Sequence, residues 1–367
     1  MNSDKENILI IAYNDLNNSG VPNVIYQIVK ALHNKYNFDI MIFGNNLYYY
    51  EKLKHEGVFN VSLIKSSLKK PKNKIKKALF YLFENNRKYY LETSNVLKNK
   101  KYVAIHSFKE YDSGPFLKAA KNANISKRII HTTVVHDKPR SIVERRRRRL
   151  SLKYGNIFVG VTEPACKSAF PKKHFKVIHF SYDDLKFNMN VGSKLKDEQL
   201  FLTQVGTYSS NKNQLFSIEI MRHLKTMCPN ARLRIIGREN EFGYQKRMEE
   251  AINNYHLKKE VELIDGTNGI GDSLEYTSFS LLTSLKEGAS LVAIESQACG
   301  ITVFASNAVF MEMNVGGIQY LDLKDEPRHW AETINSYFAK YGNNRKKYDL
   351  SSFSKQHFFE SISSLYK

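Results

Sequence analysis

Glu287 and Glu295 are separated by seven residues in the run Ser284-Leu285-Lys286-Glu287-Gly288-Ala289-Ser290-Leu291-Val292-Ala293-Ile294-Glu295-Ser296-Gln297-Ala298-Cys299-Gly300. The pattern predicts a strand ending near Thr283, a Glu-Gly turn, and a helix that begins close to Ser290 and stops at Gly300, a residue suited to a helix C-terminus. Such a helix leaves the backbone N–H groups of residues 288 to 291 without intrahelical partners, free to meet hydroxyl or phosphate oxygens. Glu287 then sits at the mouth and Glu295 about a turn and a half inside. Two carboxylates beside an anion-tolerant helix end suit a ligand that is both hydroxylated and anionic. The bland alternative is that Glu295 complements the helix dipole and Glu287 is a loop residue.

The elements around this run alternate. Short apolar runs over residues 7–13, 38–43, 102–106, 128–133 and 156–161 read as strands with helical patterns between most of them, and 201–205, 233–236, 261–264, 279–283 and 302–304 repeat the scheme. Near-continuous apolar strands alternating with helices point to buried parallel sheets, hence two doubly wound α/β domains. The polar stretch 183–199 reads as a linker between a first domain over 1–182 and a second over 200–345. The aromatic-rich tail 346–367 is expected to end in a helix packing back on the first domain.

Charge divides the chain as the elements do. Its 367 residues have a formal net charge of +20, yet residues 1–200 hold 37 Lys+Arg against 17 Asp+Glu while residues 201–367 hold 19 of each. The excess lies entirely in the first half, which suggests an anionic partner there. Residues 65–101 hold 12 basic and 2 acidic residues interleaved with Leu79, Phe80, Leu82, Phe83, Tyr89 and Tyr90. They read as a basic amphipathic helix able to lie on anionic lipid, with Lys69, Lys70, Lys72, Lys74, Lys76 and Lys77 as its charges and Arg145, Arg146, Arg147, Arg148 and Arg149 as a second cluster. Both clusters can equally be solvated faces.

Composition removes other classes. A 42% hydrophobic fraction excludes a disordered chain, and no run approaches the ~20 apolar residues of a membrane span. The first eight residues are too polar for a signal peptide. Cys166, Cys228 and Cys299 are odd in number and far apart, so neither a disulfide framework nor a zinc site is expected. A cytoplasmic protein, peripheral at the inner face of the cell membrane, is the expectation. The charge alone would fit nucleic acid, but no zinc-finger or RNA-reading motif supports it, and no nucleic-acid partner is expected.

The pattern E-G-x-S-L-x-x-x-E-x-x-A-C-G resembles the donor-site signature of retaining GT-B glycosyltransferases of the group 1 (family 4) type, which build bacterial surface polysaccharides. Other segments agree in order. Gln204-Val205-Gly206 followed by Lys212 resembles the strand and loop that open the donor domain, Gly237 and Gly266-Thr267 resemble two further strand ends, Ser19-Gly20-Val21-Pro22 resembles the first Gly-rich loop, and Ile130-His131-Thr132 resembles the site of a His near the transferred sugar. The resemblance implies the GT-B fold, two Rossmann-like domains facing a central cleft. It implies Glu287, His131 and Lys212 as catalytic residues, with Gly20, Gly206, Thr207, Lys212, Gly237, Arg238, Gly266, Thr267, Glu287, Gly288, Ala289, Ser290, Leu291 and Glu295 around the donor.

Two departures qualify it. Gly206-Thr207-Tyr208 stands where the family usually has Gly-Arg-Leu or Gly-Arg-Phe, and His179-Phe180-Ser181-Tyr182-Asp183 replaces a common Asn-Gly-Ile-Asp. Either Arg238 or Lys286 substitutes for the missing cation, or donor binding is weak or lost. The implied activity is retaining transfer from a nucleotide-sugar, most simply a UDP-sugar, to a glycan, lipid-linked saccharide or anionic polymer. No Asp-x-Asp is present, so neither a metal nor a cofactor is expected. The alternative is a non-catalytic homologue serving a partner glycosyltransferase.

Overall fold

The computed structural model describes residues 5–17, 20–66, 85–139, 141–190, 194–195, 198–266 and 273–367. Ser19, Thr267 and the lysines 69, 70, 72, 74, 76 and 77 therefore lie outside the described residues.

The chain forms two compact units, 1–180 together with 356–367, and 181–355. In the first, β1 (Glu6–Ile11), β2 (Tyr36–Ile42), β3 (Val61–Lys65), β4 (Ala104–Ser107), β5 (Lys127–Thr132), β6 (Ile157–Gly160) and β7 (Lys176–Val177) form one sheet in the order β3-β2-β1-β4-β5-β6-β7. In the second, β8 (Phe201–Val205), β9 (Arg232–Gly237), β10 (Val261–Asp265), β11 (Phe279–Leu282), β12 (Thr302–Ser306) and β13 (Ile318–Leu321) follow the order β10-β9-β8-β11-β12-β13. Every pairing between these strands is parallel. This is the doubly wound arrangement expected of GT-B domains.

The strands are apolar because both faces are covered. Ile8, Leu9, Ile10 and Ile11 are fully buried in succession, which an alternating half-exposed strand would not allow. The helix Gly20–Leu32 buries Val24, Ile25, Ile28, Val29 and Leu32, one face at helical spacing. In the second unit the helix Gln214–Met227 buries Ile218, Met221 and Leu224. Its Phe216 meets Trp330 edge-on at 5.5 Å, and the Trp330 indole N–H donates to the Asp322 carbonyl at 2.9 Å. Each such buried side chain contributes about 1.5–3 kcal/mol relative to exposure, which fixes the scaffold from which the loops project.

Segment boundaries differ from expectation in two places. Residues 183–190 are no free linker: Phe187 packs with Leu274, Ala298, Cys299 and Ile301, and Lys355 holds Asp183 at 2.7 Å and Asp184 at 2.6 Å, all within the second unit. One buried aromatic and two ion pairs thus tie a polar-looking stretch to the second unit. Of the tail, only 356–367 clusters with the first unit, while 346–355 stays with the second, where Phe353 is buried. Strands β3, β7 and β13 were not anticipated. β7 has two residues, and Ile318-Gln319-Tyr320-Leu321 is too short and mixed to stand out as a strand.

Candidate active site

In the second sheet the chain steps from β8 outward to β9 on one side and later to β11 on the other, so the strand order reverses between β8 and β11. Loops leaving the carboxyl ends of strands at such a reversal diverge, and the space between them is where ligands of open α/β sheets bind. The loop after β8 carries Gly206 to Asn213; the loop after β11 carries Thr283 to Ser290.

These two loops are tied together. Lys212 Nζ lies 2.6 Å from Glu287 Oε1, and the same oxygen accepts from the Ser284 hydroxyl at 2.8 Å. Asn211 donates to the Lys286 carbonyl at 2.9 Å, and the Leu285 amide donates to the Asn211 carbonyl at 2.8 Å. Beneath them Gln204 donates to the Lys212 carbonyl at 2.8 Å, and Thr283 donates to the Asn213 carbonyl at 3.0 Å. Asn213 is left-handed at φ 55°, a conformation Asn tolerates better than most residues and one that turns the loop into the helix Gln214–Met227. The Glu287 side chain is 7% exposed and that of Lys212 26%. Their pair is thus half-desolvated, with the cation on the more open side.

The Glu-Gly run forms as the sequence predicts, with the helix at Leu291–Ala298, Ser290 at its N-cap and Gly300 left-handed just beyond its end at φ 73°. Ser290 makes no side-chain cap hydrogen bond, so its hydroxyl does not occupy the first-turn amides. Glu295 is partly exposed, yet its carboxyl is pushed up to about 7 by burial, with Lys186 pulling it down and Asp183 pushing it up. Near neutral pH it is poised between acid and carboxylate.

Three glycines line up at the ends of adjacent strands. The Gly206 amide donates to Ile236 and the Gly266 amide to Gly237, each at 2.9 Å. A Cβ on Gly237 would sit 2.0 Å from the Gly206 carbonyl oxygen, so this backbone contact requires glycine. Tyr208 covers the row, its hydroxyl donating to Ile264 at 2.9 Å. Thr207, at the position of the missing arginine, is exposed. Arg238 is held by Asp265 at 3.0 Å on the surface, and Lys286 is exposed at the loop tip. Among the described residues no group of three or more His, Cys, Asp or Glu is arranged to hold a metal ion.

Residues 187–348, which include both loops, match the profile of the family described as Glycosyl transferases group 1. The match lies within the second unit, short of both its ends, and leaves the first unit outside it. A curated relative, the capsular polysaccharide biosynthesis glycosyltransferase CapH of Staphylococcus aureus, is 26% identical over 262 residues, covering 67% of this chain and 71% of CapH. Among solved structures, Anabaena Alr3699/HepE in complex with UDP-glucose superposes with a TM-score of 0.73 at 15% identity over 98% of each chain. A glycosyltransferase from Rickettsia africae gives 0.73 at 16% identity over 99% of this chain and 95% of that one. These likenesses establish the GT-B fold.

In the first unit the expected site residue His131 lies inside the sheet. His131 is fully buried in β5, packed against both His106 and Phe108 at 5.3 and 4.9 Å, with its Nε2 buried without a partner. Burial holds its ring down to about 3, hence neutral. Its Nδ1 meets His106 Nε2 at 3.2 Å, and His106 Nδ1 meets the Tyr366 hydroxyl at 2.6 Å, tying the helix Lys355–Tyr366 to the strands. The reason is that both faces of this parallel sheet are covered, so Ile129, Ile130, His131 and Thr132 are all buried in succession.

The histidine that does emerge at the end of β5 is His136, which the sequence reading missed. It lies 3.3 Å from Glu110 and 3.1 Å from the Thr132 hydroxyl, stacked on Tyr111. Glu110 is left-handed at φ 50°, and burial pushes its carboxyl up to about 7. His136-Asp137 directly after an apolar strand was the available signal. Gly20 opens the helix Gly20–Leu32 and is exposed. The five arginines divide: Arg147 pairs with Asp112, and Arg148 donates to the Ser168 carbonyl and lies over the Tyr111 ring, whereas Arg145, Arg146 and Arg149 are exposed.

Proposed function

We propose that this protein is a glycosyltransferase that takes its sugar from a UDP-sugar, with retention, and passes it to a glycan, a lipid-linked saccharide or an anionic polymer in capsule or related surface-polysaccharide synthesis. The observation that carries the reading is the Lys212–Glu287 pair at the β8/β11 reversal, inside the family-matched residues. HepE has been solved with UDP and with UDP-glucose, and CapH is named for capsular polysaccharide biosynthesis.

The chemistry follows from where charge develops. As the sugar leaves, negative charge grows on the diphosphate; Lys212 and the amides of residues 288 to 290 stabilise it by fixed positive potential, an interaction stronger in the transition state than in the ground state. Glu295 accepts from ribose hydroxyls in its carboxylate form. Glu287, oriented by Lys212 and Ser284, accepts from a sugar hydroxyl. The acceptor attacks on the face the leaving group departs from, so no protein nucleophile is required. With cationic protein groups in place, a divalent ion is unnecessary. No helix among the described residues is long and apolar enough to cross a membrane, and attachment to the inner membrane face is through the basic first half.

Purified full-length protein incubated with a panel of UDP- and GDP-sugars in excess EDTA tests this. Turnover of a UDP-sugar is the expected result. Activity abolished by EDTA and restored by manganese or magnesium would overturn metal independence. Binding of UDP without any turnover would favour the non-catalytic alternative, for which exposed Thr207 in place of arginine is the supporting observation.

A further inference from the structure

A shallow, open groove of roughly 630 Å³ lies on the first unit between the helix Ile142–Tyr154 and the turn after the helix Glu163–Ala169, lined by Arg145, Arg148, Arg149, Lys153 and Lys173 together with Leu152, Pro139 and Pro171. Five cations face it and no carboxylate does. Arg145, Arg149 and Lys153 recur at intervals of four, so they stack along one helix face, where like charges destabilise the helix. Glu144, the one acidic residue of that helix, lies in its first turn and does not line the groove. Some cations of this unit are neutralised, as Arg147 is by Asp112 and Lys167 by Glu163; Arg145, Arg149, Lys153 and Lys173 form no ion pair among the described residues.

The groove is also held in shape. Arg148 is fixed by the Ser168 carbonyl and the Tyr111 ring, and its Nε is buried without a partner. Lys173 follows Lys172, left-handed at φ 61°, and its ammonium lies 5.5 Å over the Phe158 ring. Three arginines and two lysines lining one shallow groove match a group with several oxygens and more than one negative charge, and guanidinium pairs with phosphate oxygens bidentately.

We propose that this groove binds a phosphate-bearing group, a phosphomonoester or diphosphate, and that the acceptor of the glycosyltransferase carries such a group or is presented on a surface that does. The binding site is inferred from the first unit alone; only the word acceptor rests on the proposed function.

The test uses the full chain and three proteins: wild type, the triple variant Arg145→Gln/Arg149→Gln/Lys173→Gln, and a control that removes equal charge from the second unit, Arg222→Gln/Lys246→Gln/Lys340→Gln. Inorganic pyrophosphate binding is read by calorimetry, and co-sedimentation is read with phosphatidylcholine vesicles with and without phosphatidic acid. UDP affinity, measured in all three, reports on the donor assignment separately. The expected result is at least tenfold weaker pyrophosphate or phosphatidic-acid binding in the triple variant, with UDP affinity unchanged and the control like wild type. Loss confined to the vesicle arm identifies a lipid headgroup as the source, and loss in the pyrophosphate arm a soluble diphosphate. Equal binding by wild type and triple variant in both arms, equal loss in the control, or competition by polyglutamate as effective as by pyrophosphate at matched charge would overturn the site.

Discussion

Lys212 and Glu287, 75 residues apart in the chain, meet at 2.6 Å and join the two loops that flank the strand-order reversal. The cation assigned to the donor diphosphate is therefore also the partner that keeps a 7% exposed carboxylate satisfied, and removing it has two separable effects.

Lys212→Met should weaken UDP binding by roughly 10- to 100-fold, the equivalent of a lost charge-assisted hydrogen bond of about 1.5–3 kcal/mol. It should also lower the melting temperature of the second unit, because Glu287 is left with Ser284 alone; each kcal/mol corresponds to ~2–4 °C for a unit of this size. Adding Glu287→Gln should recover the melting temperature without recovering UDP affinity. Calorimetry on the single and double variants decides it, and recovery of both properties together would reduce Lys212 to a structural ion pair.

The Glu295 carboxyl, pushed up to about 7, gives donor binding a pH signature. If its carboxylate accepts the ribose hydroxyls, UDP should bind more tightly at pH 8 than at pH 6, and Glu295→Gln should flatten that dependence. Stability runs the other way. A carboxyl raised from 4.5 contributes fully below the unfolded value and loses that contribution as pH rises through about 7, so Glu295→Gln should melt above wild type at pH 8 and close to it at pH 4. A pH slope for UDP binding that survives in the Gln variant would remove Glu295 from the donor site.

Much of this was legible because the chemistry sits in one contiguous run. Strand, turn, helix and C-terminal glycine from Thr283 to Gly300 follow local rules, and the structure realises them within a residue or two. What was not legible is what distant residues do to one another. Nothing local shows that Lys212 meets Glu287, that Asn213 must be left-handed, or that Tyr208 fills the space over Gly237. His131 and His136 are five positions apart on one strand and its exit. A histidine inside an apolar strand reads the same whether it faces core or solvent, and only packing against His106 and Phe108 decides. Phe187 likewise looks like linker until its neighbours from residues 274 to 301 are known.

The buried His131–His106–Tyr366 chain predicts acid sensitivity of the first unit. Burial holds His131 down to about 3, and holds His106 well below its usual value, with the neighbouring His131 adding to the effect. In the unfolded chain both rings take up protons near 6.5, so the stability they contribute is present above that pH and is lost as pH falls toward 3. Thermal melts from pH 7.5 to 4 should show the first unit losing stability first. His131→Phe, which keeps a flat ring among its stacked neighbours and removes the proton site, should make the decline shallower; an unchanged profile would mean that other groups dominate acid unfolding.

The glycine row separates scaffold from site. A methyl at Gly237 would lie 2.0 Å from a backbone carbonyl oxygen, at Gly266 3.2 Å from the Gly237 Cα, and at Gly206 3.5 Å from the flexible stem of Lys212. Backbone cannot yield as a lysine stem can, so Gly237→Ala should destabilise the second unit by the several kcal/mol of a severe overpacking, Gly266→Ala by less, and Gly206→Ala by under ~1 kcal/mol. Function should not follow that order. The Gly206 methyl would fill the space beside the stem of the residue assigned to the diphosphate, in van der Waals contact with it and with less room for it to move toward a ligand, so Gly206→Ala should weaken UDP binding while its melting temperature stays near wild type. Differential scanning calorimetry with and without UDP reads both quantities, and a Gly206→Ala protein with unaltered UDP affinity would place the diphosphate away from the β8 loop.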